Sequence, residues 1–144
     1  MISLRMGYPD FESEMRMAKR ASRVEIRKLV LVKEELLALR ESTGSVYMHD
    51  VVYDYALSLV RDTRTNQDVA CGVSPRGTIA LVRMAKAWAM VNGRDYVVPQ
   101  DVKQQFPFVT AHRLILRQDA LLENKTSEMV IAEIMEKIRM PEVR

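Results

Sequence analysis

The sequence is poor in the residues that mark disulfide-bonded, metal-binding and membrane proteins. Its single cysteine, Cys71, excludes an intrachain disulfide framework and suits a reducing compartment. Its two histidines, His49 and His112, lie far apart and form no metal-binding pair. No apolar run approaches the roughly 18 residues that a membrane helix requires. The N-terminal residues lack the apolar stretch of a signal peptide. We therefore expect a cytoplasmic protein with no bound metal and no membrane partner.

The sequence also lacks a strong excess of either sign of charge, since it has 22 basic and 19 acidic residues and a net charge of only +3. These charges are interspersed along the chain, and this disfavours a dedicated nucleic-acid surface. Aromatic residues make up only 6% of the chain, but 48% of its residues are hydrophobic. At 144 residues, the sequence predicts one folded domain with its own core.

Signatures of catalysis are missing as well. No glycine is followed by lysine, so the phosphate-binding loop G-x-x-x-x-G-K-[ST] is absent. Ser74 stands in G-V-S-P-R, which lacks the second glycine of a nucleophile elbow, and Pro75 favours a helix cap instead. Glu34 and Glu35 are adjacent, so they point in different directions on a helix and cannot share a proton. Cys71 precedes a helix start but is better interpreted as a small packing residue.

Hydrophobic spacing predicts an all-α fold, a bundle of five or six helices with a short extended N-terminal segment. Residues 2–6 alternate like the end of a strand, and residues 21–32 are interpreted as an extended connector across the core. Loops are expected at 64–70 and 118–125. The predicted helices cover about 10–20, 33–41, 48–63, 74–92, 99–117 with a break at Pro107, and 126–139.

The most clearly delimited helix begins after Ser74, a favourable N-cap, and ends at Asn92-Gly93. Pro75 suits its first position, where a missing N–H is not needed. Helical spacing predicts a buried stripe on this helix. The stripe is Ile79, Val82, Ala85 and Ala89, widened by Leu81, Met84 and Trp88.

Arg76 is the unusual residue of this helix, because it lies at an electropositive N-terminus where an acidic side chain is preferred. One interpretation is a surface ion pair within the domain, which residue chemistry alone slightly favours. The other is capture of an anion by Arg76 and the free N–H groups of Ser74–Gly77, with Gly77 permitting close approach. Arg83 lies seven residues later on the same face.

The same residues resemble a family. The run G-V-S-P-R-G-T-I-A-L-V-R-M-A-K-A-W-A, then G-R-D-Y-V-V-P-Q-D-V and A-H-R-L, is similar to the C-terminal lid of MoxR-type AAA+ ATPases. G-Y-P-D near the start and Thr63-Arg64 fit the same family, so the resemblance covers nearly the whole chain. The sequence departs from the family at Cys71 and Val73, where Leu and Ala are expected, and at Gly77, where Ala is commoner.

This resemblance implies roles that the residues alone do not establish. Arg76 matches the sensor-2 arginine, which reaches the γ-phosphate of ATP bound to the core domain, and Ser74 and Gly77 flank it in the nucleotide site. Residues 1–9 correspond to the end of the core and the hinge, and residues 10–144 to the lid. His112 and Arg113 match a recurrent pair without an assigned role.

The resemblance further implies a fragment that does not hydrolyse ATP alone and needs no cofactor in isolation, because Walker A and B motifs are absent. The full-length protein is expected to be an ATPase using ATP and Mg²⁺. Expected partners are its own core, neighbouring subunits of a hexamer, and clients such as von Willebrand A-domain proteins matured by chaperone-like action. Two alternatives stay open, a helical nucleic-acid-binding module and a plain protein-interaction bundle.

Overall fold

The computed structural model describes residues 2–4, 6–20 and 31–142. Helices dominate these residues, which confirms the all-α prediction. The helices are α1 (Phe11–Arg20), α2 (Lys33–Ser42), α3 (Asp50–Thr65), α4 (Pro75–Val91), α5 (Pro99–Thr110), α6 (Gln118–Leu122) and α7 (Ser127–Lys137). Short 3-10 turns occupy Thr43–Ser45 and Ala111–Arg113. Strands β1 (Val69–Cys71) and β2 (Ile115–Leu116) form a small antiparallel pair.

Four local predictions are wrong. Segment 118–125 was expected to be a loop but contains the short α6, and β1 begins inside the loop predicted over 64–70. Helix α5 runs through Pro107 without a break, because Phe106 and Val109 are buried on either side and hold the helix against the core. It ends at Thr110, however, and β2 lies inside the helix predicted up to residue 117. Residues 2–4 form no strand, although Ser3 N donates a hydrogen bond to Phe108 O at 2.9 Å.

The N-terminal helices differ from the others in burial. Helix α2 buries none of its residues, and its three leucines, Leu36, Leu37 and Leu39, are exposed. Phe11 and Met15 of α1 are exposed as well. The connector predicted over 21–32 lies outside the described residues except for Leu31 and Val32, which are exposed.

The core lies between α3, α4, α5 and α7. The apolar stripe predicted on α3, which includes Leu59, is confirmed, as is the buried face of α7 around Ile131. Phe106 contributes the largest fully buried side chain. Small residues on α4, Ala85 and Ala89, are fully buried and permit close approach of the neighbouring helices. Within the described chain, no helix is both long and apolar enough to cross a membrane.

The buried stripe of α4 is rotated relative to the prediction. Leu81, Ala85 and Ala89 are buried as expected, but Ile79 is 55% exposed and Gly77 is buried instead. The apolar stripe of α4 is more than about 100° wide, so the sequence pattern alone does not determine which part of the stripe faces the core. The helix can therefore be rotated by a few tens of degrees from the predicted orientation. Val82, Met84 and Trp88 are half-buried at the margins of the stripe.

An ion pair closes the turn between α4 and α5. Gly93 has φ 73° after α4, a left-handed conformation that favours glycine. Arg94 then forms two hydrogen bonds to the Asp101 carboxylate, Nη1 to Oδ2 at 2.7 Å and Nη2 to Oδ1 at 2.6 Å. Asp101 Oδ2 also accepts the N–H of Val98 at 2.9 Å, and this satisfies a backbone donor at the start of α5. The bond to Asp101 raises the pKa of Arg94.

We predict that Asp101→Asn lowers the free energy of unfolding by about 2 kcal/mol, because it removes the charge from a bidentate pair at a buried site. The measurement is urea unfolding followed by circular dichroism. Asp95→Asn, an exposed change nearby, is the control and should stay within about 0.5 kcal/mol of the parent. Equal stability of the two variants would contradict the importance of the Arg94–Asp101 pair.

Candidate functional site

The start of α4 has the backbone geometry of a capped helix. Ser74 occupies the N-cap with extended backbone, and its carbonyl oxygen accepts the N–H groups of Gly77 at 2.8 Å and Thr78 at 3.2 Å. The N-cap position predicted for Ser74 is therefore confirmed. Its hydroxyl, however, forms no capping hydrogen bond and belongs to an exposed residue. The assignment of Ser74 to nucleotide binding stays a prediction.

Helix α3 holds the residue that precedes this cap. The buried Thr63 hydroxyl accepts the N–H of Val73 at 3.0 Å and donates to Val60 O at 2.6 Å. Arg64 Nε donates to Val73 O at 2.7 Å. Both polar groups of Val73 are therefore bound by consecutive residues of α3, and this positions the chain two residues before α4 begins. Sequence reasoning noted Thr63-Arg64 only as part of a resemblance and missed this function.

Gly72 makes that arrangement possible. A Cβ at Gly72 would lie 2.6 Å from Thr63 O and 2.8 Å from Arg64 Cα, closer than side chains approach backbone atoms. The backbones of α3 and of the segment before α4 are thus in direct contact. A side chain at this position would push the N-terminus of α4 away from α3.

Gly77 is buried by its neighbours. A Cβ at this position would collide with Val73 Cγ1 and lie 3.5 Å from Arg113 Cδ. The space that the absent side chain leaves is thus filled by Val73. The structure therefore gives Gly77 a packing role, and its predicted part in close approach of a ligand stays a prediction.

Arg76 projects from the first turn of α4 and is exposed. Among the described residues, no hydrogen bond or ion pair engages its guanidinium, so the interpretation of Arg76 as half of an internal ion pair finds no partner there. Arg76 lines a cleft of about 610 Å³ together with Arg83 and Arg113, which we call the arginine cleft. Its lining is completed by Ile2, Ile79, Ala80 and Met84.

The arginine cleft is electropositive. Three arginines line it, and no acidic residue of the described chain does so. Arg113 is half-buried, and its Nε donates to Val109 O at 2.7 Å, so its stem is fixed against the end of α5. Arg76 and Arg83 lie seven residues apart on one face of α4, about 10 Å along the axis. Such an arrangement attracts anions.

The remaining candidates lie outside this cleft. His49 is the N-cap of α3, where its Nδ1 accepts the N–H of Val51 at 3.2 Å. His112 lines another cleft, and partial desolvation, followed by the charge of Arg113, lowers its pKa. The interpretation of Cys71 as a small packing residue is wrong, because Cys71 is exposed at the end of β1. Within the described chain, His, Cys, Asp and Glu side chains form no group capable of holding a metal ion.

Comparison with known proteins assigns the class. Residues 61–134, which are 74 of the 144 residues, match the family model of the AAA lid domain. The chain therefore belongs to the AAA lid domain family. The matched segment includes α4 and the whole of α5, so Arg76 lies within the family domain.

The relatives specify the type of lid. The chain is 33% identical to the chaperone MoxR1 of Mycobacterium tuberculosis over 99% of its own length and 41% of that protein. It is 35% identical to the protein YeaC of Bacillus subtilis over 98% of its length and 45% of that protein. The crystal structure of a candidate ATPase from Cytophaga hutchinsonii superposes with a TM-score of 0.89 at 28% identity.

These matches confirm the predicted MoxR-type AAA+ lid. The superposition covers 99% of this chain and 47% of the Cytophaga protein. The chain thus spans less than half the length of these relatives. Activities of the longer proteins concern this chain only as proposals.

We predict that Val73 and Gly77 are energetically coupled. Gly77→Ala alone should lower the free energy of unfolding by about 1–3 kcal/mol, because the new methyl group overlaps Val73 in a packed site. In a Val73→Ala background the same change should be neutral or stabilising, since the space is free and alanine favours a helix. Urea unfolding of the four proteins measures a coupling of about 2 kcal/mol. Simple additivity of the two changes would disprove the packing role of Gly77.

We also predict that Thr63→Val lowers the free energy of unfolding by about 1–3 kcal/mol, since the buried N–H of Val73 loses its acceptor while shape is kept. Hydrogen exchange at the Val73 amide should become faster. Thr65→Val, on an exposed residue of the same helix, should change stability by less than about 0.5 kcal/mol. Unaltered exchange at Val73 would show that Thr63 does not hold the start of α4.

Proposed function

We propose that this lid closes over ATP bound by the core of a MoxR-type ATPase, and that Arg76 stabilises negative charge on the terminal phosphate. The observation that carries the proposal is the exposed guanidinium of Arg76, which has no partner among the described residues and opens into the arginine cleft. Ile2 lines the same cleft, so the N-terminal segment passes beside Arg76. In the longer relatives, additional chain accompanies the lid.

The residues of the cleft suit a triphosphate. A guanidinium offers five donors and a permanent positive charge, and Arg76 adds these to the positive end of the α4 dipole. Pro75 has no N–H and the Gly77 N–H is bonded to Ser74 O, so the expectation of free N–H groups across Ser74–Gly77 is wrong at these two positions. The helix start acts mainly through its dipole. ATP supplies the phosphoryl group whose hydrolysis drives the cycle. Arg76 stabilises the negative charge on that phosphoryl group and responds when the phosphate is released.

Arg76 can report nucleotide state because the start of α4, which carries it, is held firmly by neighbouring elements. Thr63 and Arg64 bind the chain before Ser74, and Arg113 Cδ lies close to Gly77. A force on the Arg76 guanidinium is therefore transmitted to α3 and to the end of α5 rather than absorbed by a flexible loop. We infer that phosphate release tilts the lid as one body about residues 7–10.

The hinge assignment rests on exposure and open space. Residues 6–10 are exposed, and among the described residues nothing beyond the chain neighbours of Gly7 lies within 4 Å of the position where its side chain would begin. This division places residues 1–9 with the core and hinge and residues 10–144 with the lid. The bond from Ser3 N to Phe108 O is then a contact across the division.

The wider proposal follows the family. The complete protein would be a cytoplasmic, hexameric ATPase that uses Mg²⁺ and couples hydrolysis to maturation of client complexes, including those of von Willebrand A-domain proteins. Since the described residues offer no cluster of metal ligands, Mg²⁺ would be held by residues of the core. A nucleic-acid-binding role is disfavoured because no aromatic side chain of the described chain lines the arginine cleft.

In the complete ATPase, we predict that Arg76→Ala lowers the rate of ATP turnover by about 10²-fold, because charge developing on the terminal phosphate loses its donor. Arg76→Lys should recover only part of the rate, since a lysine cannot form the bidentate contact. Steady-state phosphate release and nucleotide affinity are the measurements.

Arg117→Ala is the matched control, because Arg117 is exposed and lies outside the cleft. Unchanged hydrolysis and nucleotide affinity in Arg76→Ala would refute the assigned role. The 144-residue chain alone should not turn over ATP. Turnover by the purified chain that Arg76→Ala abolishes would overturn the view that catalysis needs the core.

A further inference from the structure

The outward face of α4 continues past Arg76. Arg83 lines the arginine cleft and also a second cleft of about 440 Å³, which we call the Lys86 cleft. The Lys86 cleft contains Arg40, Lys86 and the acidic Glu41 beside Ala87. Across the two clefts, five basic side chains therefore surround one carboxylate. Arg83 stands where the two clefts meet.

The cations have few internal partners. Among the described residues, no ion pair engages Arg76, Arg83 or Arg40. Lys86 Nζ donates to Gly44 O at 3.3 Å, which leaves further N–H groups of the ammonium available. Arg76, Arg83 and Arg40 therefore keep their positive charges without an ion-pair partner among the described residues.

The length of this basic face determines the kind of occupant. Arg76 and Lys86 are ten residues apart, about 15 Å along the helix axis. The terminal phosphate proposed for Arg76 occupies only one end of that distance. An anion that reaches Arg83 and Lys86 as well must be extended and carry several charges.

The lining favours a polypeptide over a nucleic acid. No aromatic side chain of the described residues lines either cleft, so bases find no stacking surface. Between the cations lie the short Ala80 and Ala87, and Ile79 and Met84 supply apolar contact. Small and apolar residues interleaved with cations suit the packing of an amphipathic segment with carboxylates at its edges.

We propose that the outward face of α4, from Arg83 to Lys86 and into the Lys86 cleft, is the docking surface for an acidic segment of a partner protein. Carboxylates of that segment pair with Arg83 and Lys86, while its apolar side chains lie over Ala87 and Met84. Arg83 is exposed and Lys86 is half-buried, so docking is of modest affinity and weakens as salt rises. This surface is independent of the nucleotide role of Arg76.

The test uses the 144-residue chain and a fluorescent amphipathic peptide of Glu, Leu and Ala, about 15 residues long, which as a helix exceeds the length of the face. Fluorescence anisotropy should show binding that falls with ionic strength. Amide chemical shifts should change at residues 80–87 and not around α7. The double variant Arg83→Glu, Lys86→Glu should bind about tenfold more weakly or worse.

The control is the double variant Arg117→Glu, Arg139→Glu. It changes the net charge by the same amount as the test variant, at exposed residues outside both clefts. Unchanged circular dichroism in both double variants separates docking from folding. Equal weakening by the two double variants, shifts spread over the whole surface, or no binding would overturn the proposal. Tighter binding of a single-stranded 20-mer DNA at the same residues would overturn it in favour of nucleic acid.

Discussion

The position of α4 depends on two hydrogen bonds that α3 makes to the backbone of Val73, one to its N–H and one to its carbonyl oxygen. Thr63 accepts the N–H of Val73 and Arg64 donates to its carbonyl, while Gly72 lets the two backbones touch. Because these groups are buried or partly buried, their bonds are costly to lose and exclude alternative positions of the chain. This contact therefore fixes the positions of the side chains that α4 exposes to solvent, including Arg76.

The far end of α4 is held by a different interaction. Gly93 turns the chain in a left-handed conformation, and Arg94 reaches forward to the buried Asp101 at the start of α5. Asp101 also binds the Val98 N–H, so one carboxylate both caps α5 and closes the turn. Both ends of α4 are therefore held by neighbouring elements, by α3 at its start and by α5 at its end.

Fixing the helix also determines which of its faces remains available. Burial of Leu81, Ala85 and Ala89 turns Ile79 outward, next to Arg76 and Arg83. The exposed Arg76 and a longer basic face thus share one helix, with the proposed nucleotide contact at its N-terminus and the proposed protein contact further along. Because these positions are separated along α4, the two proposed contacts do not exclude each other.

The sequence by itself determined the helical fold, the ends of α4, the buried faces of α3 and α7, and the prominence of Arg76. These follow from local periodicity, from capping residues and from a positive charge at a helix N-terminus, all of which can be recognised in the sequence without knowledge of the tertiary contacts. It did not reveal the continuity of α5 through Pro107, the rotation of α4, or the fit of Val73 into the space beside Gly77. Only the tertiary structure decided these features, and it also brought Arg113 beside Arg76 and Thr63 beside Val73. The physical reason is that each depends on contact between residues distant in the chain, where packing and buried hydrogen bonds override local preference.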